Sequence, residues 1–254
     1  MGCHHIERWL GPAPVTLQET YDADATGPGV DHSLLTTVLG RYVTTDGLVR
    51  YEALRKDPAD LDRYIQQLRE VQFDPLQRNE KLALLINAYN AFTLRLILDQ
   101  EPTVQSIKEI PKTDRWDAKR WHIGSLLLSL DQIEHEYLRP RFKEPRIHFA
   151  INCASISCPP LRQEAYEADR IEAQLEEQTR ALHADPAWVR IDPSGQTLDL
   201  TRLYLWFEGD FEQGAGSVLN FIARYHPKLA AELQAGRTPS IHWLEYDWSL
   251  NQAR

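Results

Sequence analysis

The amino-acid sequence predicts a single α+β domain. Helical and extended patterns are mixed along the chain, without the steady strand–helix–strand order that a doubly wound parallel sheet requires. The chain has 254 residues, of which 43% are hydrophobic, and this is enough to bury a substantial core. The stretch from residue 78 to 98 is apolar on nearly every side, as expected of a helix at the centre of a domain. We therefore predict a central apolar helix packed on a short antiparallel sheet.

The first thirty residues are predicted to form a poorly structured arm, and residues 31–254 to form the domain. Between residues 11 and 30 prolines and glycines are frequent and the apolar residues show little periodicity, which is typical of a surface segment. Asp31 then caps a helix in HSLLTTVLGRY. The segment DGLVRYEAL predicts a turn, a short extended stretch and a helix, and PADLDRYIQQLREV has the apolar spacing of an amphipathic helix.

After the central helix, short strands and helices are mixed. KRWHIGSLLLSL predicts two strands joined at a Gly-Ser turn, DQIEHEYLR a helix that begins at Asp131, and RIHFAIN a strand. An amphipathic helix is predicted from about residue 168 to 182. AWVRID and TLDL then predict two strands, SVLNFIARYHP a helix, and SIHWLEYDWSL a last strand. In that strand we expect Trp243, Tyr246 and Trp248 to be mostly buried and Asp247 to point away from them.

Composition and charge argue against nucleic acid as a partner. The net charge is −9, and the 28 basic residues are scattered rather than massed. No membrane span is expected, because no uninterrupted apolar run reaches the roughly 20 residues that cross a bilayer. The N-terminus lacks the features of a signal peptide, although Gly2-Cys3 matches the end of a bacterial lipoprotein cleavage box. The expected location is cytoplasmic, or exported or lipid-anchored if a leader was removed before Cys3.

The cysteines predict neither a disulfide framework nor a metal site. Three cysteines cannot all pair within the chain, and Cys153 with Cys158 would close only a short loop. A reducing compartment is therefore the default expectation. His148, Cys153 and Cys158 follow one another at intervals of five, without a C-x-x-C pair or a fourth ligand, which argues against zinc. We expect no metal and no cofactor, and the His4-His5 pair adds little to this.

The segment HFAINCASISCPP, residues 148–160, brings a histidine and two cysteines close together. In a strand, Cys153 would lie on the apolar face as a small buried hydrophobe. His148 and Asn152 would lie on the other face, where they either line a cleft or are satisfied within the core. Cys158 follows in a loop, where catalytic groups often collect, but it is not visibly at a helix N-terminus that would favour a thiolate.

Asn87 and Asn90 are three residues apart inside the apolar central helix. Each amide needs hydrogen-bond partners there. One interpretation is a structural lock to the backbone of an adjoining segment, and the other is an amide presented to a substrate or to a catalytic histidine.

The helix after residue 130 also carries candidates for chemistry. Asp131 and Glu134 fit a capping box, which would explain Glu134 by structure alone. His135 and Arg139 are one turn apart on one face, so they could present a base and an anion clamp or only make surface hydrogen bonds.

Four phrases, NAYNAFTLRLIL, SLDQIEHEYLRPRF, HFAINCASISCPPL and LEYDWSLN, resemble the signature blocks of the family called domain of unknown function 547. The resemblance runs in order from Asp31 to Asn251. It implies kinship with bacterial stand-alone proteins, often exported, and with plant proteins that carry a coiled coil. The activity of the family is not established. The resemblance marks these characteristic positions: Asn87, Tyr89, Asn90, Glu134, His135, Arg139, His148, Cys153, Cys158 and Tyr246-Asp247-Trp248.

The residue types in these blocks are similar to those of papain-like or transglutaminase-like cysteine sites. The leading hypothesis is therefore a cysteine-dependent hydrolase or acyl-transferase. Its catalytic positions are Cys158 or Cys153 as nucleophile, His148 or His135 as base, and Glu134 and Asn87 in support. Its substrate-binding positions are Asn90, Tyr89, Arg139 and Asn152. The rival is a non-catalytic module that binds a small molecule or a peptide in a groove.

Overall fold

The structure, a computed structural model, describes residues 11–253. It confirms the predicted α+β class, because helices predominate and the strands form two small sheets. Gly2-Cys3 and the His4-His5 pair lie outside the described residues.

The N-terminal half is helical. Its elements are α1 (Ser33–Tyr42), α2 (Tyr51–Lys56), α3 (Ala59–Leu68), α4 (Arg78–Leu98), a 3-10 turn (Ile107–Glu109) and α5 (Lys112–Arg115). The predicted cap at Asp31 is wrong by one residue: the N-cap of α1 is His32, whose side chain makes no capping hydrogen bond. Asp31 lies just before it, and its carboxylate accepts a hydrogen bond from the Ser33 N–H at 2.9 Å.

Helix α4 is the core of this half, as its apolar pattern predicts. Every residue from Lys81 to Leu98 is buried except Arg95. The helix packs mainly against other helices, among them α2 and α3, and a short antiparallel hairpin adds to this packing. Helices make up most of its surroundings because the strands of this chain, at three or four residues each, are much shorter than a helix of 21 residues.

A β-hairpin and an unusual helix follow α5. Strands β1 (Trp121–Ile123) and β2 (Leu126–Leu128) are antiparallel, as predicted, and the Trp121 ring stacks on Phe92 of α4 with centroids 4.7 Å apart. The turn requires Gly124, which has φ +56°, and a Cβ there would lie 2.1 Å from the Val71 carbonyl oxygen. Helix α6 (Leu130–Gln132) then leads directly into a π-helix (Ile133–Leu138).

The predicted strand RIHFAIN is wrong. Residues Pro145–Phe149 form a 3-10 helix instead, opened by the Glu144 carboxylate, which accepts a hydrogen bond from the Arg146 N–H. Because side chains do not alternate in a 3-10 helix as in a strand, the inferred two faces of this segment do not exist. His148 and Asn152 are both buried, with 2% and 3% of their surfaces exposed.

The C-terminal half contains the second sheet. Its elements are α7 (Ile171–Ala184), β3 (Val189–Ile191), β4 (Thr197–Leu200), α8 (Leu203–Trp206), α9 (Glu208–Ala215), α10 (Val218–Ala223), α11 (Pro227–Gln234) and β5 (Ser240–Trp243). Strands β3 and β4 are antiparallel, whereas β4 and β5 are parallel. The sequence patterns did not predict α8, α9 or α11.

The last predicted strand is shorter than expected, since β5 ends at Trp243. Beyond it the chain continues as a segment that pairs only at isolated bridges, one of which joins Leu250 to Ser155. Trp243, Tyr246 and Trp248 are partly rather than mostly buried, and Asp247 is exposed. These aromatic residues therefore lie at the edge of the core.

The buried apolar residues form two clusters. The first surrounds α4, and the second lies between α7, the β3–β4–β5 sheet and helices α8 to α11. Phe149, from the 3-10 helix, packs in the second cluster, so the segment that follows lies between the two. Sites for ligands occur preferentially at such boundaries.

The N-terminal arm between residues 11 and 30 has no helix or strand but follows a defined course. The Leu17 N–H donates to Gln213 Oε1 at 2.9 Å, and the Gly27 N–H donates to the Pro75 carbonyl at 3.0 Å. The arm thus bridges α9 and the loop before α4.

By length and composition alone, one helix in the described part of the chain could cross a membrane. It is α4, and 94% of its most apolar window is buried inside the structure.

Candidate functional site

The sulfur atoms of Cys153 and Cys158 are bonded to each other, with their Cα atoms 5.9 Å apart. This corrects the expectation that the chain forms no disulfide. The intervening loop is short, but it turns tightly enough to bring the two Cα atoms within the usual disulfide range. Cys158 is buried, with 5% of its surface exposed, whereas Cys153 is partly exposed. The two sulfurs therefore differ in their access to solvent.

Asn152 holds both ends of the disulfide loop, residues 153–158. Its Nδ2 donates to the Pro159 carbonyl at 2.7 Å, and its Oδ1 accepts from the Ala154 N–H at 2.8 Å. Asn251 Nδ2 donates to the same Oδ1 at 3.2 Å. The Asn152 amide is thus occupied by the loop itself and does not line a cleft.

The loop contains a strained backbone conformation at Ala154. Its φ is +59°, and it is the one residue other than glycine with a positive φ between residues 11 and 253. The left-handed region costs an alanine roughly 1–2 kcal/mol. Such strain collects at functional sites and persists where the surroundings determine the backbone; here the hydrogen bond to Asn152 and the disulfide do so.

Tyr246 joins the C-terminal segment to the disulfide. Its hydroxyl donates to Cys158 Sγ at 3.2 Å and accepts from Ser155 Oγ at 3.3 Å. The Cys153 backbone N–H also donates to Cys158 Sγ, at 2.9 Å. Burial raises the pKa of Tyr246, so its hydroxyl remains a donor at physiological pH. Two donors therefore point at the buried sulfur.

Glu134 faces this site from the π-helix. The Tyr89 hydroxyl donates to Glu134 Oε2 at 3.4 Å. Burial raises the pKa of Tyr89, and the Glu134 charge raises it further. The π-helix continues to the bond from the Arg139 N–H to the Glu134 carbonyl, 2.9 Å, and this rare geometry is frequent at functional sites. The predicted capping box of Asp131 and Glu134 is wrong: the cap is Ser129 with Gln132.

The other candidates from this helix belong to a buried network around Asp210. Arg139 donates to both Asp210 oxygens at 2.8 and 3.0 Å, and His148 Nε2 contacts Oδ2 at 2.8 Å. Burial alone would raise the pKa of Asp210, but His148 and Arg139 hold it at about 2. Burial lowers the pKa of His148, whose ring stacks on Phe207 with centroids 3.7 Å apart. His135 Nδ1 accepts a hydrogen bond from Arg139 Nη1 at 3.0 Å.

Neither predicted histidine base lies against a sulfur. The hydrogen-bond partners of the two sulfurs are the Cys153 N–H, Ser155 and Tyr246, and no described histidine is among them. The His148 side chain is fully buried. Arg139 is also buried, which corrects its interpretation as a surface residue or an anion clamp.

The asparagines of α4 bond to the backbone of two different segments of the chain. Asn87 donates to the Tyr166 carbonyl at 2.8 Å and accepts from the Tyr166 N–H at 2.9 Å. Asn90 donates to the Ala150 carbonyl at 2.9 Å and accepts from the Asn152 N–H at 2.8 Å. This is the geometry of the structural lock, and the lock at Asn90 positions the residue that holds the disulfide loop.

Beside the disulfide lies an aromatic ledge formed by Trp206, Tyr246 and Trp248. The ring centroids of Tyr246 and Trp248 are 4.5 Å apart, and those of Trp206 and Tyr246 are 4.7 Å apart. The ledge borders an open depression of about 540 Å³. The depression is lined by Ser106, Glu245, Tyr246, Asp247, Trp248 and Ser249.

Three residues of the site were not predicted from the sequence. Ser155 and Asn251 are polar and buried, but nothing in their spacing distinguishes them from surface residues. Asp210 lies in α9, which the patterns did not predict. The signal that could have identified it is its place next to Phe211 in an aromatic stretch, which suggests burial. A buried charge needs partners, so such an acid predicts a buried ion pair. No group of three metal-binding side chains occurs among residues 11–253.

Comparison with known proteins gives one match. Residues 73–182 match the family model described as "Protein of unknown function, DUF547". No curated protein and no solved structure matches the chain. The matched segment contains α4, the π-helix and the disulfide loop, and it therefore contains Asn90, Glu134 and both cysteines. The match over residues 73–182 supports the assignment of this chain to the DUF547 family, whose function is unknown.

Proposed function

We propose that the Cys153–Cys158 disulfide is redox-active and that the protein catalyses thiol–disulfide exchange. The observation that carries this proposal is the asymmetry of the two sulfurs. Cys153 is partly exposed, whereas Cys158 is buried and receives two hydrogen bonds. Exchange needs an accessible sulfur to attack and a second sulfur that leaves readily as a thiolate. The disulfide loop provides one of each.

The reaction oxidises a dithiol substrate. A substrate thiolate attacks Cys153 Sγ, a new sulfur–sulfur bond forms, and the bond to Cys158 breaks with its electron pair remaining on Cys158 Sγ. The second substrate thiol, as a thiolate, then attacks the mixed disulfide and releases Cys153. The substrate gains a disulfide, and its two thiol protons end on Cys153 and Cys158. The reduced protein can run the same steps in reverse.

The surroundings of Cys158 favour it as the leaving group. On reduction, the Cys153 N–H and the Tyr246 hydroxyl donate to a full negative charge, and hydrogen bonds to charged groups are the strong ones. Burial raises the pKa of Tyr246, and the charge of Glu134 raises it further, so the Tyr246 hydroxyl keeps its proton. Tyr246 and Glu134 thus act on the buried sulfur, whereas Cys153 meets the substrate.

The cysteine-dependent hydrolase favoured by the sequence has less support. A thiol nucleophile needs a base or another source of activation, and the two candidate bases, His135 and His148, bond to other groups. A non-catalytic binding module remains the rival of the redox proposal, since the disulfide would then act only as a clip for the loop.

The test uses a Cys3→Ser background, in which the two bonded cysteines are the only ones. The folded protein is equilibrated in dithiothreitol buffers of graded potential, and its thiols are counted by alkylation and mass spectrometry. We expect reversible reduction while the protein stays folded by circular dichroism. A disulfide that reacts only after unfolding would make it a structural clip and refute the proposal.

A second measurement tests the order of the sulfurs. With the leaving cysteine removed, the Cys158→Ser variant should accumulate a mixed disulfide when mixed with a disulfide substrate. The Cys153→Ser variant should react far more slowly, because its remaining sulfur is buried. Equal trapping by both variants would contradict the assignment of Cys153 as the attacked sulfur.

A further inference from the structure

The aromatic ledge and the depression beside it are continuous with the disulfide. Tyr246 belongs to the ledge and also contacts both sulfurs. The Ser157 N–H donates to the Asp247 carbonyl at 3.1 Å, and the Asp247 N–H donates to Ser157 Oγ at 2.9 Å. Ile156, which precedes Ser157 in the disulfide loop, is 41% exposed, although large apolar residues are mostly buried in this protein. A molecule seated on the ledge would therefore lie next to Cys153.

We infer that the ledge and the depression bind an extended peptide segment that carries lysine or arginine. The role of this segment in bringing a thiol to Cys153 rests on the proposed function, but the binding itself does not. Three observations support the inference: the shape of the site, its aromatic faces and its charge.

The shape suits a chain rather than a compact molecule. The depression is open, with a volume of about 540 Å³, and five consecutive residues, 245–249, line it. At about 3.3 Å per residue, five extended residues span up to roughly 16 Å. A peptide of four or five residues covers that length.

The aromatic faces suit a cation. The Lys108 ammonium already lies 3.9 Å from the centroid of the Trp248 ring, which is within the range of a cation–π contact. The ledge of Trp206, Tyr246 and Trp248 offers further partly exposed ring surface. Lys108 thus shows, within the chain itself, the contact that a basic ligand would make.

The charge of the rim complements a basic ligand. Glu245 and Asp247 line the depression and are both exposed. The Ser249 N–H donates to Asp247 Oδ1 at 2.8 Å and lowers the pKa of Asp247, so this carboxylate is ionised at neutral pH. The positive charge of Lys108 offsets the negative charge of these two acids. Removing Lys108 should therefore strengthen the binding of a basic ligand.

The test measures binding to the oxidised Cys3→Ser protein, without any redox step. The probes are two cysteine-free hexapeptides, Gly-Lys and Gly-Glu each repeated three times, and binding is followed by tryptophan fluorescence and calorimetry. We expect the lysine peptide to bind and the glutamate peptide not to bind. Comparable binding of both peptides, or binding of neither, would overturn the inference.

Three variants then test where the peptide binds and whether the ligand carries positive charge. Glu245→Gln should weaken binding of the lysine peptide roughly two- to fivefold, as expected for an exposed charge pair. Lys108→Ala should strengthen it by a similar factor, because it frees the Trp248 face and leaves the acids unopposed. Glu212→Gln, an exposed acid on α9, is the matched control and should change nothing. Weaker binding by Lys108→Ala would refute a basic ligand, because it would make Lys108 a contact for an anion.

The link to the disulfide is tested separately, with the same two sequences each extended by one cysteine. If the proposed function holds, the oxidised protein should react with the lysine peptide thiol faster than with the glutamate peptide thiol, and Glu245→Gln should reduce the difference. If neither peptide thiol reacts but the cysteine-free lysine peptide still binds, the redox proposal has failed and the peptide site stands.

Discussion

At the scale of single residues, the Tyr246 hydroxyl should determine how readily Cys158 ionises in the reduced protein. A donor hydrogen bond favours the thiolate over the thiol, so losing it must move the thiol's titration midpoint upward. A bond to a charged group contributes about 1.5–3 kcal/mol, or roughly one to two pH units. We expect such a shift when Tyr246→Phe is introduced into reduced Cys153→Ser protein and thiolate absorbance is followed against pH. The control, Tyr225→Phe, removes a hydroxyl that bonds to Glu176 instead, and an equal shift there would contradict the assignment.

Ala154 is a second residue whose effect can be predicted. Glycine adopts its φ of +59° without the penalty of a Cβ, although glycine loses more backbone entropy on folding. Ala154→Gly should therefore raise the free energy of unfolding by about 0.5–1 kcal/mol. Ala88→Gly, inside α4, should lower it by about 1 kcal/mol. Urea unfolding of the oxidised protein measures both, and a destabilised Ala154→Gly variant would show that the positive φ at Ala154 costs less than the backbone entropy that glycine loses.

At the scale of elements, α4 bonds to two different segments through its asparagines. Substituting each asparagine in turn should distinguish the effects of the two contacts. Replacing Asn87 or Asn90 with alanine leaves buried backbone groups unpaired and should cost roughly 1–3 kcal/mol in each case. Asn90→Ala should also change the rate at which dithiothreitol reduces the folded protein, because Asn90 positions the backbone of Asn152. Asn87→Ala should leave that rate unchanged. Equal effects of both variants on the rate would mean that helix α4 acts on the loop only through overall stability.

At the scale of the whole molecule, the buried pair of Arg139 and Asp210 connects the π-helix to α9. Asp210→Asn leaves a buried guanidinium without its counter-charge and should cost about 3–5 kcal/mol. Asp57→Asn removes the acid of an exposed pair with Arg41 and should cost less than about 1 kcal/mol. Urea unfolding at neutral pH compares the two, and equal small costs would show that Asp210 is not the counter-charge of Arg139.

The same pair predicts a dependence of stability on pH. The pKa of Asp210 is about 2 in the folded protein, below its usual 3.8. Because the folded-state pKa is depressed, the contribution is fully present above 3.8 and is lost as the pH falls through about 2. The difference corresponds to about 2 kcal/mol. Urea unfolding between pH 5 and pH 2 should show this loss in the native sequence, and a loss of the same size in Asp210→Asn would assign it to other carboxylates.

The sequence by itself predicts the parts of the fold that depend on local pattern. Helix α4 is apolar on nearly every side and can be stable only at the centre of a core. The Gly-Ser hairpin needs a residue that tolerates a positive φ, and glycine supplies it at that position. The order of the family's signature phrases also identified Asn90, Glu134 and both cysteines as characteristic positions before any distance was known.

Only the tertiary structure decided what those positions do together. The segment from Arg146 to Asn152 reads as a strand because its residues alternate, but packing on Phe207 and Phe211 and the bond to Asp210 stabilise a 3-10 helix. In that helix His148 bonds to Asp210 and not to a cysteine, while Asn90 and Asn251 hold Asn152 next to the disulfide loop. Except for the two cysteines, which are five residues apart, the partners in these contacts are tens of residues apart along the chain. Local sequence patterns cannot report such contacts, because their energy depends on side chains that meet only once the two apolar clusters have packed.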